Sequence, residues 1–574
     1  MTERGTLEGG LSEPEELEPE QGSLDLADPA DTWTVADWEA QAAAVLRKAG
    51  RLGEQDADDL VWERLTRTTL DGIGISPLGT AALLDGLRTS GRPTRQGDWD
   101  VRSYVDAGDP AAAKLANEEA LVDLDGGVTS LWLRGSADYA TVLKDVLLDL
   151  APVVLDGGDP QAFLAYARSS LAEGRELHPA TNLGVPAADA TGELARAAQQ
   201  RGVLAFVVDA TAVHDRGASD AQELAWSLAA GAAYLRTLTD AGLSVDEAAG
   251  LVEFRYAATD EQFATIAKLR AARRAWARML ELSSAQGREQ RQHVVTSRPM
   301  MSKYDPWVNM LRTTVAAFAA GVGGADSVTV LPFDGPLGRP DAFGRRIARN
   351  TSHLLIDESH VAHVADPAGG AYAVEKLTDD LAVAAWELLG RLEEGADLDA
   401  EIAETVARRD AAVARRKRPI TGLTEFPNLG EVLPERDPAG ADTTRRYGAA
   451  FEALRDRPVA SKVFLATLGT VAQHTARATF ASNLLAAGGI AVDVAGPTPG
   501  VDDLVAAYDG QAVVCLAGAD ATYAEWGQAA AEALRAAGAT HVIIAGKPAD
   551  YADASCAMGV DALAFLTSTR EKLQ

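Results

Sequence analysis

Residues 461–489 read SKVFLATLGTVAQHTARATFASNLLAAGG, and this stretch fixes the reading of what surrounds it. Val463 to Thr467 is a short, mostly apolar run suited to a buried strand. Gly469 breaks it. From about Val471 the pattern is helical, with Ala476, Phe480, Leu484 and Leu485 on one face, and Gly488-Gly489 stops it. A strand, a glycine turn and a helix open a doubly wound α/β domain, in which ligands sit at the strand ends. Further strand and helix patterns follow, so residues 459–574 are expected to form a Rossmann-like (flavodoxin-like) domain.

The 574 residues exceed one ordinary domain, and two or three are expected. Apolar residues make up 47% and charged residues 24%, the composition of a soluble globular protein. The apolar runs are too short to span a bilayer, and MTERGTLEGG has no apolar core for a signal peptide. Two cysteines, Cys515 and Cys556, without a CxxC, suggest neither zinc nor a disulfide framework and fit a reducing cytoplasm. A net charge of −31 argues against nucleic acid and anionic membranes. Solubility alone accounts for such a charge, and it names no partner.

Residues 1–31 are acidic and poor in aromatics, with Glu13, Glu15, Glu16, Glu18 and Glu20 close together, and read as a disordered arm or as one that orders on a partner. Residues 32–98 read as a helical extension. Trp38, Ala42, Val45 and Leu46 line one helix face ending at Gly50, and Leu60, Trp62 and Leu65 belong to another segment. Such a region wraps a partner subunit or packs on its own barrel, and the pattern leaves both open. Residues 99–392 alternate strand and helix. Val128–Leu133, Val153–Leu155, Val203–Val208 and Val328–Leu331 read as buried strands, and Asp220–Thr239 as a helix. This predicts a parallel sheet with helices outside, and at this length a TIM (β/α)8 barrel. Residues 393–458 read as a helix and a linker, with the charge run Arg415–Arg418 and a Pro/Gly-rich piece from Leu433.

The clearest single helix runs from Thr259 to Leu282. Thr259 and Gln262 have capping-box spacing, and Phe263, Ile266, Leu269, Trp276 and Leu280 form the apolar face. Lys268, Arg270, Arg273, Arg274 and Arg278 cover the other sides and are expected to be solvated, although a contact with an acidic surface or a CoA phosphate has the same pattern.

Several stretches together resemble the methylmalonyl-CoA mutase family. FATIAKLRAARRAWARM at 263–279 is similar to a barrel segment of that family. Gly217-Ala218, Glu223-Leu224-Ala225, Arg312-Thr313-Thr314, Phe333-Asp334, 346–351, 366–372 and Val374-Glu375 match in order, and Trp99–Tyr104 resembles Trp-Thr-Ile-Arg-Gln-Tyr. The resemblance spans about residues 99–570. It implies a barrel around a CoA thioester, capped by a domain that carries adenosylcobalamin, and interconversion of (R)-methylmalonyl-CoA and succinyl-CoA through radicals from cobalt–carbon homolysis.

The departures from the family pattern matter as much. Where catalytic subunits read Lys-Met-Gly-Gln-Asp-Gly-His-Asp-Arg-Gly, with the His as lower cobalt ligand, this chain reads TLGTVAQHTA from Thr467. The Asp position is Val471, the His position is Gln473 and the last Gly is Ala476, while His474 comes one residue late. An amide is a poor cobalt ligand, and the side chain of Val471 cannot orient an imidazole. The second cofactor loop, Ser-Ser-Leu-x-Gly-Gly, becomes Cys515-Leu516-Ala517-Gly518-Ala519, and the later Gly-Gly is Ala545-Gly546. In the barrel, Ser-Gly-Tyr-His becomes Asp209, Ala210, Thr211 and Ala212 just before the helix that carries Gln222, and His214 falls two residues later. The Thr-Ile-Gln-Asn-Asp stretch has no clear counterpart near Thr181-Asn182-Leu183-Gly184. Tyr104 matches the tyrosine beside the migrating group, and is read as packing.

Elsewhere, His360 and His363 have metal-like spacing if helical, but Asp357 and Glu358 are the only close upstream carboxylates, and a structural or surface role is expected. There is no Walker A pattern and no Gly-x-Ser-x-Gly. No catalytic, cofactor-binding or metal residue is therefore assigned to this chain. The resemblance implies a non-catalytic subunit, cytoplasmic, paired as a heterodimer with the large catalytic subunit that holds adenosylcobalamin, with neither nucleic acid nor membrane as a partner. Two other readings stay open: an active acyl-CoA mutase that binds cobalamin without the usual His, and a transient CoA-ester-binding or cofactor-loading partner.

Overall fold

The computed structural model describes residues 32–135, 138–287, 289–439 and 443–574. The acidic arm expected over 1–31 lies outside the described residues. The chain divides into two compact units. One runs to Arg67 with Gly74–Pro77, and the other comprises Thr68–Ile73 and Leu78–Gln574.

In the first unit, α1 (Val35–Lys48) starts at a capping box in which Thr34 and Asp37 satisfy each other's backbone N–H. A second short helix, α2 (Val61–Leu65), lies against it. Ala43, Leu46, Leu52 and Val61 are buried between them, and the Trp38 and Trp62 rings are 4.6 Å apart. Arg47 ties the intervening loop down through the Asp56 carbonyl and Asp58. The expected split between two helical segments near Gly50 is present.

The larger unit holds a closed barrel of eight parallel strands. They are β1 (Asp100–Asp106), β2 (Ser130–Arg134), β3 (Val153–Asp156), β4 (Asn182–Pro186), β5 (Leu204–Asp209), β6 (Val252–Ala258), β7 (Gln292–Thr296) and β8 (Ser327–Thr329). They join in ring order, with β8 closing against β1. Each expected strand is found within a residue or two, except that Val328–Leu331 is shorter than its apolar run suggests. At the closing seam only Ser327–Asp100 and Val328–Val101 are in register. Gly184 breaks the register of β4 at φ 66°, and a Cβ there would lie 1.7 Å from the Leu155 carbonyl oxygen.

The outer helices used below are α3 (Ala113–Asp125), α4 (Asp220–Asp240), α5 (Gln262–Leu282), α6 (Pro306–Val322), α7 (Ala342–His353), α8 (Tyr372–Glu393) and α9 (Leu398–Ala414). Two expectations for α5 fail. No side chain caps it, because Thr259 turns its hydroxyl toward Glu261 and Thr265. Its basic face is also mostly unsolvated, although Arg278 is exposed as expected. Lys268 and Arg270 are completely buried and Arg273 nearly so. Since α5 packs against α4, α6 and α8, the carboxylates that neutralise it come from elsewhere: Glu223, Asp220, Asp366 and Glu375. Phe263, read as part of the apolar face, is 61% exposed.

The C-terminal domain is a five-stranded parallel sheet, β9 (Val463–Thr467), β10 (Val492–Val494), β11 (Val513–Ala517), β12 (His541–Ala545) and β13 (Ala554–Cys556), in the order β10-β9-β11-β12-β13. The reversal beside β9 is the doubly wound arrangement expected from its first strand. Helix α10 (Val471–Ala487) buries Leu484 and Leu485 on the sheet as expected, although Ala476 faces solvent. Cys515 and Cys556 are buried and free. No helix of the described residues is long and apolar enough to cross a membrane.

Candidate functional site

Barrel strands alternate inward and outward residues, and here the inward rows carry charge rather than the branched aliphatics common in such barrels. Arg102 of β1 reaches across the bore to Glu253 of β6 at 2.9 Å, and also holds Asp100 and Ser130. Both Arg102 and Glu253 are almost fully buried. Burial alone would lower the Arg102 pKa, but Glu253 and Asp100 hold it above its usual value. Above this pair, Arg255 lies 4.1 Å over the Trp132 ring, donates to Asp209 at 2.6 Å and donates through Nε to His293 Nδ1 at 3.1 Å. His293 Nε2 therefore carries the proton toward Thr329. Burial, followed by Arg102, Arg255 and Arg298, keeps His293 neutral, well below the usual imidazole range.

At the mouth is a cavity of about 1000 Å³, lined among others by Tyr104, Trp132, Arg134, Asp156, Asp209, Thr211, Asp215 and Arg298. Tyr104 meets Trp132 edge-on at 4.7 Å, and burial pushes its phenol up to about 12. Besides this ring contact, Tyr104 faces the cavity. Thr211 and Ala212 line the mouth where the family pattern has Tyr-His. His214 turns aside, with Nε2 2.7 Å from Ser297 Oγ and Nδ1 3.2 Å from the buried Glu223. Glu223 also receives Lys268 Nζ at 2.8 Å and the Ala257 N–H. Burial raises its pKa, but Lys268 and His214 together bring it below the usual value. Asn182 bonds backbone within β4 and β5. Gln222 caps α4 and donates to α9.

The strand ends of the C-terminal domain are filled by short side chains and one tyrosine. Gln473 closes a capping box, its Oε1 accepting from Thr470 N at 2.7 Å and Thr470 Oγ1 at 2.9 Å. Gly469 has φ 81°, and a Cβ there would meet that Oε1 at 2.4 Å. Val471 is 58% exposed. His474 is buried, and its Nδ1 has no hydrogen-bond partner. Across the sheet, the Tyr523 hydroxyl accepts from Gly518 N–H at 2.9 Å and donates between the Leu516 and Ala545 carbonyls. Arg477 lies over the Tyr523 ring and donates to Gly518 O at 2.6 Å. Gly546 would bring a Cβ within 3.3 Å of that guanidinium. A corrin with an axial imidazole and a nucleotide tail does not fit this set. The amide at 473 is committed to its own helix, His474 has no carboxylate to orient it, and Tyr523 and Arg477 occupy the space beside β11 and β12.

His360 and His363 sit in a tight turn with stacked rings 4.5 Å apart. No group of three or more His, Cys, Asp or Glu suited to a metal occurs among the described residues. Sequence reading missed Arg102, Trp132, Glu253, Arg255, His293 and Arg298. The period-two alternation Arg102/Tyr104 and Glu253/Arg255 inside apolar strands was the available signal.

A family model described as methylmalonyl-CoA mutase matches residues 197–492. The chain is 44% identical to the methylmalonyl-CoA mutase small subunit of Streptomyces virginiae over 97% of this chain and 99% of that one. It is 40% identical to the probable methylmalonyl-CoA mutase small subunit of Mycobacterium bovis, over 93% and 96%. Among solved structures, a dihydropteroate synthase from Xanthomonas albilineans in complex with 7,8-dihydropteroate aligns at 14% identity and TM-score 0.28, over 46% of this chain and 93% of that one. A likeness that distant carries no argument.

Proposed function

The chain belongs to the methylmalonyl-CoA mutase family, and on that premise we propose that it is the non-catalytic subunit of a heterodimer. It pairs with and stabilises a large subunit that carries adenosylcobalamin and interconverts (R)-methylmalonyl-CoA and succinyl-CoA. The observation that supports this best is the Tyr523–Arg477 filling at the strand ends, beside the loops that the family resemblance assigns to the cofactor. The Arg102–Glu253 pair across the bore adds to it, because a long CoA ester threading the barrel would have to break a buried ion pair. A subunit without its own chemistry contributes through linkage, since binding that favours the folded partner stabilises it.

Co-expression with the large subunit tests the reading, with cobalamin absorbance and mutase activity recorded for each chain and for the pair. The chain alone is expected to be colourless and inert, and the pair active with one cobalamin per heterodimer. Cobalamin binding and turnover by the chain alone would overturn the proposal and favour an independent mutase. Activity of the large subunit without any stable pairing would favour a transient loading partner.

A further inference from the structure

The outer layer of the barrel carries a contiguous set of exposed apolar side chains. On α6, Trp307 and Leu311 stand one turn apart and are 49% and 68% exposed. On α7, which packs against α6, Phe343 is 40% exposed and the half-buried Ile347 follows one turn later. The two helices' side chains are continuous through Phe333. Its buried ring stacks on Trp307 at 5.1 Å and meets Phe343 edge-on at 6.0 Å. Exposed apolar residues that occur singly need no explanation, but a contiguous aromatic and aliphatic patch marks a surface that another surface covers.

Charge selects what covers it. The chain has 84 Asp and Glu residues, and each of the other outer helices described above carries at least one. Helices α6 and α7, 17 and 12 residues long, carry none and hold four arginines. Arg312 turns inward to the Thr421 carbonyl, and Arg345 and Arg349 turn to Asp123. Arg346 stays exposed, its guanidinium 5.4 Å from the centre of the Phe343 ring, and pairs with no carboxylate among the described residues. Asp341, at the start of α7, is engaged by Arg436. A second copy of the chain laid face to face would offer Arg346 no carboxylate from either helix, so the pattern fits a different chain. We propose that this face docks the large subunit, which meets it with an apolar patch and a carboxylate opposite Arg346, and that Trp307, Leu311 and Phe343 are the anchors. This rests on the pairing proposed above and names the surface that makes it.

Hydroxyl-radical footprinting and a binding titration test it, on the full chain alone and with the large subunit. Trp307, Leu311 and Phe343 are expected to be oxidised readily in the chain alone and about fivefold more slowly in the pair, as for side chains at the core of an interface. Leu311→Glu, at the most exposed of the three positions, is expected to leave the melting temperature of the chain unchanged and to weaken pairing about thirtyfold, the effect of losing one hot-spot residue. Arg346→Glu is expected to weaken pairing about tenfold. Leu147→Glu, at an exposed leucine outside the patch, is expected to change nothing. If the unaltered chain and the large subunit do not pair, the pairing itself is wrong and this proposal falls with it. If they pair, but Leu311→Glu pairs as tightly as the unaltered chain or Leu147→Glu weakens pairing as much, only the assignment of this face is wrong. Self-association of the chain that Leu311→Glu abolishes would give the face to a second copy. Slow oxidation in the chain alone that deleting residues 1–31 relieves would give it to that segment, and either result overturns the proposal.

Discussion

The barrel and the C-terminal sheet of this chain satisfy their interior polar groups in opposite ways. The barrel uses ionised pairs, Arg102–Glu253 taken out of water and Arg255–Asp209 with only its arginine buried. The C-terminal sheet uses a neutral hydroxyl bonded to three backbone groups. Buried ion pairs repay their desolvation only with both partners present, so they are expensive to break and contribute little net stability when intact. A hydroxyl on backbone groups is modest both to form and to lose. The barrel should therefore respond to single charge changes far more sharply than the C-terminal domain does to the loss of its tyrosine hydroxyl.

The largest effect is expected from Glu253→Gln. It keeps the shape and leaves Arg102 buried with Asp100 as its remaining carboxylate. The cost should be about 3 kcal/mol, at the lower end of the range for broken buried pairs. Urea unfolding followed by circular dichroism would measure it, and a loss below about 1 kcal/mol would mean that water reaches the bore. Tyr523→Phe comes next. It strands the Gly518 N–H and removes the donor shared by the Leu516 and Ala545 carbonyls. A loss of about 1–3 kcal/mol is expected, together with faster hydrogen exchange at Gly518. A loss larger than that of Glu253→Gln would reverse the proposed contrast.

What could be read from the sequence follows the same division. The C-terminal domain announced itself through one apolar strand, one glycine and one amphipathic helix, all local signals, and β9 and α10 lie where the pattern put them. The departures from the family pattern at Val471, Gln473 and Ala476 were visible because they fall within ten residues. What fills the strand ends was not visible, since Tyr523 lies 46 positions from Arg477 and meets it only through the fold. The barrel's class was legible from alternation, but its charge plan was not. Lys268, Arg270 and Arg273 look solvated on a helical wheel because periodicity records one face of apolar residues and is silent about helices packed on the others. Glu223, Asp366 and Glu375, the partners of Lys268 and Arg270, lie 45 to 105 positions away, and Arg273 donates instead to Gln292 and to the Gly91 and Gly323 carbonyls.

A carboxylate outside the barrel strands, Asp71, gives a pH handle. Burial, and then the charge of Asp220, raises Asp71 to about 6, although the Ser219 hydroxyl donates to it. The folded-state pKa therefore lies above the unfolded value of about 3.9. Between those two values the folded chain holds more protons than the unfolded chain, so this group's contribution falls as pH rises from about 4 to about 6. Asp71→Asn should flatten that part of the melting-temperature profile and leave the more acidic part unchanged. An unaltered slope would show that Asp71 is solvated.

The smallest effect should come from the same helix as one of the most buried cations. On α5, Arg270 is completely buried between Asp366 and Glu375, whereas Arg278 pairs with Glu281 at 2.7 Å with both side chains more than half exposed. An exposed pair three residues apart is screened by water and salt, and ordering two long side chains offsets much of its attraction. Arg278→Ala should change stability by no more than about 0.5 kcal/mol, with any difference disappearing in about 0.5 M salt. Arg270→Ala should cost several times more and should not recover with salt, because it uncovers two carboxylates inside the protein. Equal losses at the two positions would place the energy of α5 in its helical propensity, and charge burial would no longer account for the barrel's sensitivity.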